Sequence, residues 1–127
     1  MNLLLDTHAL IWFVAGDRRL GKGARAAMEH ERASLHISAA SVWELAIKAT
    51  RKRIDLRLPV HRYLADRLEE GFALLPIDGA HAAAVEHLPF HHQDPFDRLL
   101  VAQALSERMA IVTRERVFKK YGVDVVW

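Results

Sequence analysis

Short apolar runs alternate along the chain with stretches whose apolar residues recur every three or four positions. The runs are LLL before Asp6, SLHIS at 34–38, FALLPI at 72–77, MAIVT at 109–113 and VDVV at 123–126, each of strand length. Helical spacing occupies 21–33, 39–53, 59–71, 79–88 and 95–108, with shorter helical stretches in ALIWF and ERVFKKY. Strands apolar on both faces, alternating with helices, predict a parallel sheet of about five strands covered on each side. No repeat, low-complexity tail or composition break divides the sequence, so residues 1–127 read as one domain.

Several element ends carry matching signals. Pro59 and Pro95 suit the first turn of a helix, where a missing amide has no helical partner to lose, and Gly71 suits a helix end needing positive φ. Asp78 follows a strand and precedes an alanine-rich helix, the place of an N-cap. For the helix after SLHIS two starts compete. Either Ser38 caps it, or Ser41 does with Glu44 as reciprocal partner in a capping box.

Composition narrows the class. The chain is 51% hydrophobic and 27% charged, which is ordinary for a globular domain and too apolar for wholesale disorder. With no cysteine, disulfides, thiolate zinc sites and cysteine nucleophiles are excluded, and a reducing cytoplasm is the expected compartment. Asp6 and His8 interrupt the apolar start, which has neither the length of a membrane span nor the order of a signal peptide. The net charge of +2 permits nucleic acid without demanding it.

The chemistry rests on acids at predicted strand ends. Asp6 follows the first strand directly and either caps the next helix or faces a pocket. Glu44 lies in the helix after the second strand; with a start at Ser38 it falls a turn and a half inside, among Val42, Trp43, Leu45 and Ile47, where a carboxylate needs donors or a cation. In HHQDPFDRLL, Pro95 at the first helical position makes Asp94 the cap and leaves Asp97 free to answer it or to project over the strand ends. Glu115 and the hydroxyl of Thr113 follow the fourth strand. In a parallel sheet these positions share one rim, outside the carboxyl ends of the strands. Gathered carboxylates repel unless a cation lies between them, and an oxygen-only donor set favours Mg2+ or Mn2+. Such a site suits phosphodiester hydrolysis by activated water.

Four stretches taken together, LLLDTHALIW, ISAASVWELAIK, DPFDRLLVAQA and IVTRERVFKKYGVDVVW, resemble the PIN-domain ribonucleases, specifically the VapC-type toxins of prokaryotic toxin–antitoxin pairs. The resemblance spans essentially the whole chain. It implies a three-layer α/β/α sandwich, a magnesium-dependent endoribonuclease, a small antitoxin partner and a homodimer. It also implies Asp6, Glu44 and Asp97 as the acidic core, with Thr7 and Thr113 in support. Glu115 takes a fourth acidic position where the family often has aspartate, and Asp94 is the rival to Asp97.

Other residues carry weaker readings. Arg98 and Arg114, beside the acids in sequence, and Arg51, Lys52 and Arg53 at a helix end are candidates for RNA phosphate contact. His87, His91 and His92 read as loop residues rather than a zinc cage. Trp12, Phe13, Trp43 and Phe96 read as core or subunit contacts rather than stacking platforms. Two other functions compete: an RNA- or protein-binding regulatory domain without catalysis, and a metal-dependent phosphatase using Asp6.

Overall fold

The computed structural model describes residues Met1–Trp127. Five strands, β1 (Asn2–Leu5), β2 (Ser34–Ser38), β3 (Ala73–Leu75), β4 (Ala110–Val112) and β5 (Val125–Val126), form one sheet in the order β3-β2-β1-β4-β5. Every pairing is parallel, with Leu5 opposite Ile37 on one side and Val112 on the other. The chain begins in the middle of the sheet and builds outward in both directions. Its first strand is therefore the most buried, and Leu3, Leu4 and Leu5 are sealed from solvent.

Alternation along β1 divides the core. Leu3 and Leu5 point into a cluster with Leu10 and Trp12 of α1 (Thr7–Ala15), Ala24 and Met28 of α2 (Lys22–Glu29), Leu45 of α3 (Ala39–Thr50) and Tyr63 of α4 (Val60–Glu69). Leu4 points the other way, into a cluster with Leu100, Val101 and Ala104 of α6 (Pro95–Glu107) and Phe118 of the 3-10 helix Arg116–Tyr121. The short α5 (Gly79–Ala84) packs beside α6. This is the expected three-layer α/β/α sandwich. No helix is long and apolar enough to cross a membrane.

The element ends resolve the open alternatives. Ser38 caps α3, its hydroxyl accepting from the Ala40 amide at 3.0 Å, while Ser41 is buried with its Oγ unpartnered, so the Ser41–Glu44 box does not form. Asp78 caps α5 in a reciprocal box with His81. Pro95 is the first residue of α6, as the sequence indicates, but Pro59 stands one position earlier than expected, as the cap of α4. At the end of α3, Lys52 takes the left-handed conformation (φ 56°) that glycine usually supplies, while the Arg53 amide bonds back to the Lys48 carbonyl.

Two glycines are required by close approach rather than by φ, Gly23 because a Cβ there would collide with the Trp127 backbone oxygen. A Cβ on Gly21, at the start of α2, would stand 2.8 Å from the Trp127 indole. That indole in turn meets Trp12 edge-on, at 5.9 Å between ring centroids.

Candidate active site

Four polypeptide segments bring acids to the carboxyl rim of the sheet. Asp6, Glu44, Asp94, Asp97 and Glu115 line a single cavity of about 140 Å3 together with Thr7, His8 and Lys48, and no apolar residue contributes to the wall. The five acids expected at this rim thus surround one space.

Each is held in its own way. Asp6 leaves β1 in an extended conformation and caps α1: its Oδ1 accepts from the Ala9 amide at 2.8 Å, and the residue is only 7% exposed. Burial pushes its carboxyl above the usual carboxylate range, against hydrogen bonds from Thr113 and Ala9 that pull it down. Thr113 is fully buried at the end of β4 and accepts the Glu115 amide at 3.0 Å, tying that acid's backbone to the rim. Glu44 projects from the second turn of α3. One of its oxygens accepts the Thr7 hydroxyl, and the other pairs with Lys48 Nζ at 3.1 Å, one helical turn on.

At the start of α6 the two aspartates divide the work. Asp94 caps, its Oδ1 accepting the amides of Phe96 (2.9 Å) and Asp97 (3.2 Å). Asp97 is released to face the cavity. Its carboxyl is pushed up to about 7, chiefly by burial and then by the charges of Asp94, Asp6, Glu44 and Glu115. The acids are therefore close enough to oppose one another's ionisation.

Behind Asp97 lies a network that sequence reasoning assigned to loop solvation. His92 Nε2 stands 3.4 Å from Asp97 Oδ2, and His92 Nδ1 lies 2.7 Å from the Tyr121 hydroxyl. That hydroxyl already accepts from the His92 amide and from Arg98 Nη1, both at 3.3 Å. Its own proton then goes to Nδ1, which leaves Nε2–H to donate to Asp97. Position five before Asp97, in a turn preceding the cap, was the one available signal.

Arg98 corrects an expectation. It is 4% exposed, and its guanidinium donates to the carbonyls of Pro89 (2.8 Å), Leu88 (3.2 Å) and Val85 (3.4 Å) and covers the Phe90 ring at 4.0 Å. Its donors hold the turn before α6, so none faces a phosphate. Arg114 is exposed but outside the cavity wall, over the Trp12 ring at 5.0 Å. Of the three basic residues ending α3, Arg51 and Arg53 line an adjoining groove of about 450 Å3 that shares Glu44, Lys48 and Asp94 with the acid cavity. Lys52 does not line that groove. Lys48, which sequence reasoning did not single out, joins the two spaces. Among the aromatics, Trp12 is buried as expected, whereas Trp43 is 61% exposed and belongs to no core.

The family model described as PIN domain matches residues 3–124. The chain belongs to the PIN domain family. It is 35% identical over 121 residues to Ribonuclease VapC22 of Mycobacterium tuberculosis, an alignment covering 94% of this chain and 92% of that one. Among PIN-domain homologues of VapC type, the fold is shared with the VapBC2 structure from Rickettsia felis bound to a promoter DNA fragment (TM-score 0.73, 14% identity, 98% of this chain and 97% of that chain). It is shared also with FitAcB from Neisseria gonorrhoeae (TM-score 0.66, 22% identity, 97% and 95%). At those identities the likeness concerns the fold alone.

The donor set of this PIN domain suits a hard divalent cation in kind: carboxylates and hydroxyls, with neither thiolate nor imidazole cage. No three of its acids or histidines are turned into a ready ligand cage; Glu44 is engaged by Thr7 and Lys48, and one Asp6 oxygen by the Ala9 amide. Charge supports the fit: Asp97 ionises only reluctantly among its neighbours, and a cation removes that penalty.

Proposed function

We propose that this chain is a divalent-metal-dependent endoribonuclease and the toxin of a toxin–antitoxin pair. The observation carrying the proposal is the meeting of Asp6, Glu44, Asp94, Asp97 and Glu115 around one apolar-free cavity, with the Asp97 carboxyl pushed up to about 7 by burial and by the other acids. The 35% identity to a curated ribonuclease over nearly the full length supports the reaction class.

Asp6, Glu44 and Asp97, with Glu115 as the fourth acid, would hold Mg2+ or Mn2+. Bound there, the cation supplies activated water and neutralises charge developing on the phosphate. The protein's own work is positional. Capping by the Ala9 amide fixes one Asp6 oxygen, Thr7 and Lys48 restrain Glu44, and His92 sets the plane of the Asp97 carboxylate. Thr113 keeps Asp6 and the Glu115 backbone in register at the rim. Lys48, Arg51 and Arg53 give RNA phosphates a cationic approach beside the acids. No separate observation favours phosphatase chemistry through an Asp6 nucleophile.

The partners proposed with this reading are an RNA substrate, a small antitoxin and a second copy of the chain, in the cytoplasm. The test is cleavage of structured cellular RNAs by purified protein. Cutting is expected with Mg2+ or Mn2+ and not with chelator, and folded Asp6→Asn and Asp97→Asn variants are expected to lose it. Cleavage at the unsubstituted rate by both variants refutes the site; binding of RNA without cleavage by the unsubstituted protein favours the regulatory alternative.

A further inference from the structure

Beside the acid cavity, the adjoining groove combines two chemistries that the reaction itself does not require. Glu44, Ile47, Lys48 and Arg51 lie three and four positions apart on α3 and so share one helix face, which forms one wall. The left-handed turn at Lys52 brings Arg53 back to the same space. Phe96, in the first turn of α6, forms part of the opposite wall. Trp43 stands one turn before Ile47, and its ring meets Phe96 in a T-shaped arrangement with centroids 5.3 Å apart. Trp43 keeps 61% of its surface exposed, although an indole of this size is normally buried for most of its area.

We propose that Trp43, propped by Phe96, is a stacking platform for one unpaired base of the nucleic-acid substrate, whose flanking phosphates lie on Lys48, Arg51 and Arg53. This deepens the ribonuclease reading and rests on it. Charge complementarity selects the occupant. Arg51 and Arg53, with Lys48 shared with Glu44 where the groove meets the acid cavity, track a polyanion that must deliver one phosphate to the acids, and an aromatic face beside such a track accepts a base of any identity. A base held in a duplex has no free face to offer, so the platform selects a strand whose base is splayed out. Trp43 is thereby a specificity determinant for unpaired RNA, acting without base-edge hydrogen bonds.

The test is binding in the folded Asp97→Asn background, so that RNA is not consumed. Two fluorescein-labelled twelve-nucleotide probes are compared by anisotropy: oligoadenylate, and an oligomer with the same ribose-phosphate backbone and no bases. Trp43→Ala is expected to weaken oligoadenylate binding about tenfold, the scale of one base–aromatic stack, and to leave the abasic oligomer unchanged. Trp43→Phe should restore most of that loss. Arg51→Gln should weaken both probes alike and flatten the salt dependence, as a lost phosphate contact does. Oligoadenylate should also quench the indole fluorescence in a component that Trp43→Phe abolishes.

Equal weakening of both probes by Trp43→Ala, or no weakening, overturns the platform. So does a sedimentation experiment in which Trp43→Ala splits a dimer and binding returns once the dimer re-forms at higher concentration, since Trp43 is then a subunit contact. Failure of the ribonuclease reading shows separately, as intact Mg2+-supplemented protein that binds RNA and does not cut it.

Discussion

The starts of α1 and α6 solve one problem in two ways. At α1 a single residue, Asp6, both caps the helix and faces the cavity. At α6 the jobs are split: Asp94 caps, and the Asp97 carboxylate is left to face the cavity with His92 behind it. A side chain with two jobs cannot be tuned for either alone, whereas a divided pair separates the cost of activity from the cost of stability. Substitutions at the two helix starts should therefore have different signatures.

The largest expected effect is shared. Asp6→Asn and Asp97→Asn should each lower RNA cleavage at least ~100-fold, the scale of removing one charged group that stabilises a transition state, as measured by single-turnover rates with Mg2+. The next separates Asp97 from its neighbour Arg98. Arg98→Ala should destabilise the fold by about 3 kcal/mol, because buried carbonyls of the turn lose their charged donor, while Asp97→Asn should leave metal-free stability unchanged or raised; urea unfolding measures both. A marked loss of stability in Asp97→Asn would show that the division of labour at α6 is false.

The pH dependence follows from the same carboxyl. The Asp97 group is raised from its ordinary 3.8 to about 7 in the folded protein, so between pH ~4 and ~7 the folded state holds a proton the unfolded chain has released. Stability in chelator should therefore fall as pH rises through that window, and Asp6, shifted in the same direction, adds to the fall. Mg2+ should reverse the trend above pH ~7, where the carboxylates it binds are ionised. Melting temperatures with and without Mg2+ test this; a metal-free stability that rises from pH 5 to 7 contradicts the crowding of acids.

Smaller effects sharpen the contrast. Asp94→Ala should cost about 1 kcal/mol as a lost cap with most cleavage retained. Asp6→Ala should be about 1 kcal/mol less stable than Asp6→Asn, since asparagine still caps, although both are expected to lose cleavage. His92→Gln, which keeps a donor, should hold its Mn2+ affinity better than His92→Ala, measured by electron paramagnetic resonance.

Much of this arrangement was legible in the sequence because the relevant physics is local. Apolar runs of strand length and helical spacings located all five strands and the helices between them, and a polar residue straight after a buried parallel strand has to stand at the rim, which placed Asp6 and Thr113. Asp94-Pro95 declared its cap through two adjacent residues. What escaped depended on contacts distant in sequence. The burial of Arg98 depends on a turn that folds back over it, and the bond from His92 to Asp97 depends on Tyr121, twenty-nine positions away. The core half of the expectation for Trp43 fails because its helical spacing matches that of buried neighbours; the packing of α3 against α6 determines which face stays open. Lys48 went unnoticed because an i,i+4 lysine after a glutamate looks like an ordinary surface pair.

The hydrogen at Gly21 has reach beyond its own helix. Trp127 rests where any side chain at that position would stand, and Trp127 braces Trp12, on whose faces His8 and Arg114 lie. A methyl group added there would press through two indoles toward one shoulder of the acid-lined rim, so that a residue lining no part of the cavity becomes part of the tolerance to which the rim is built.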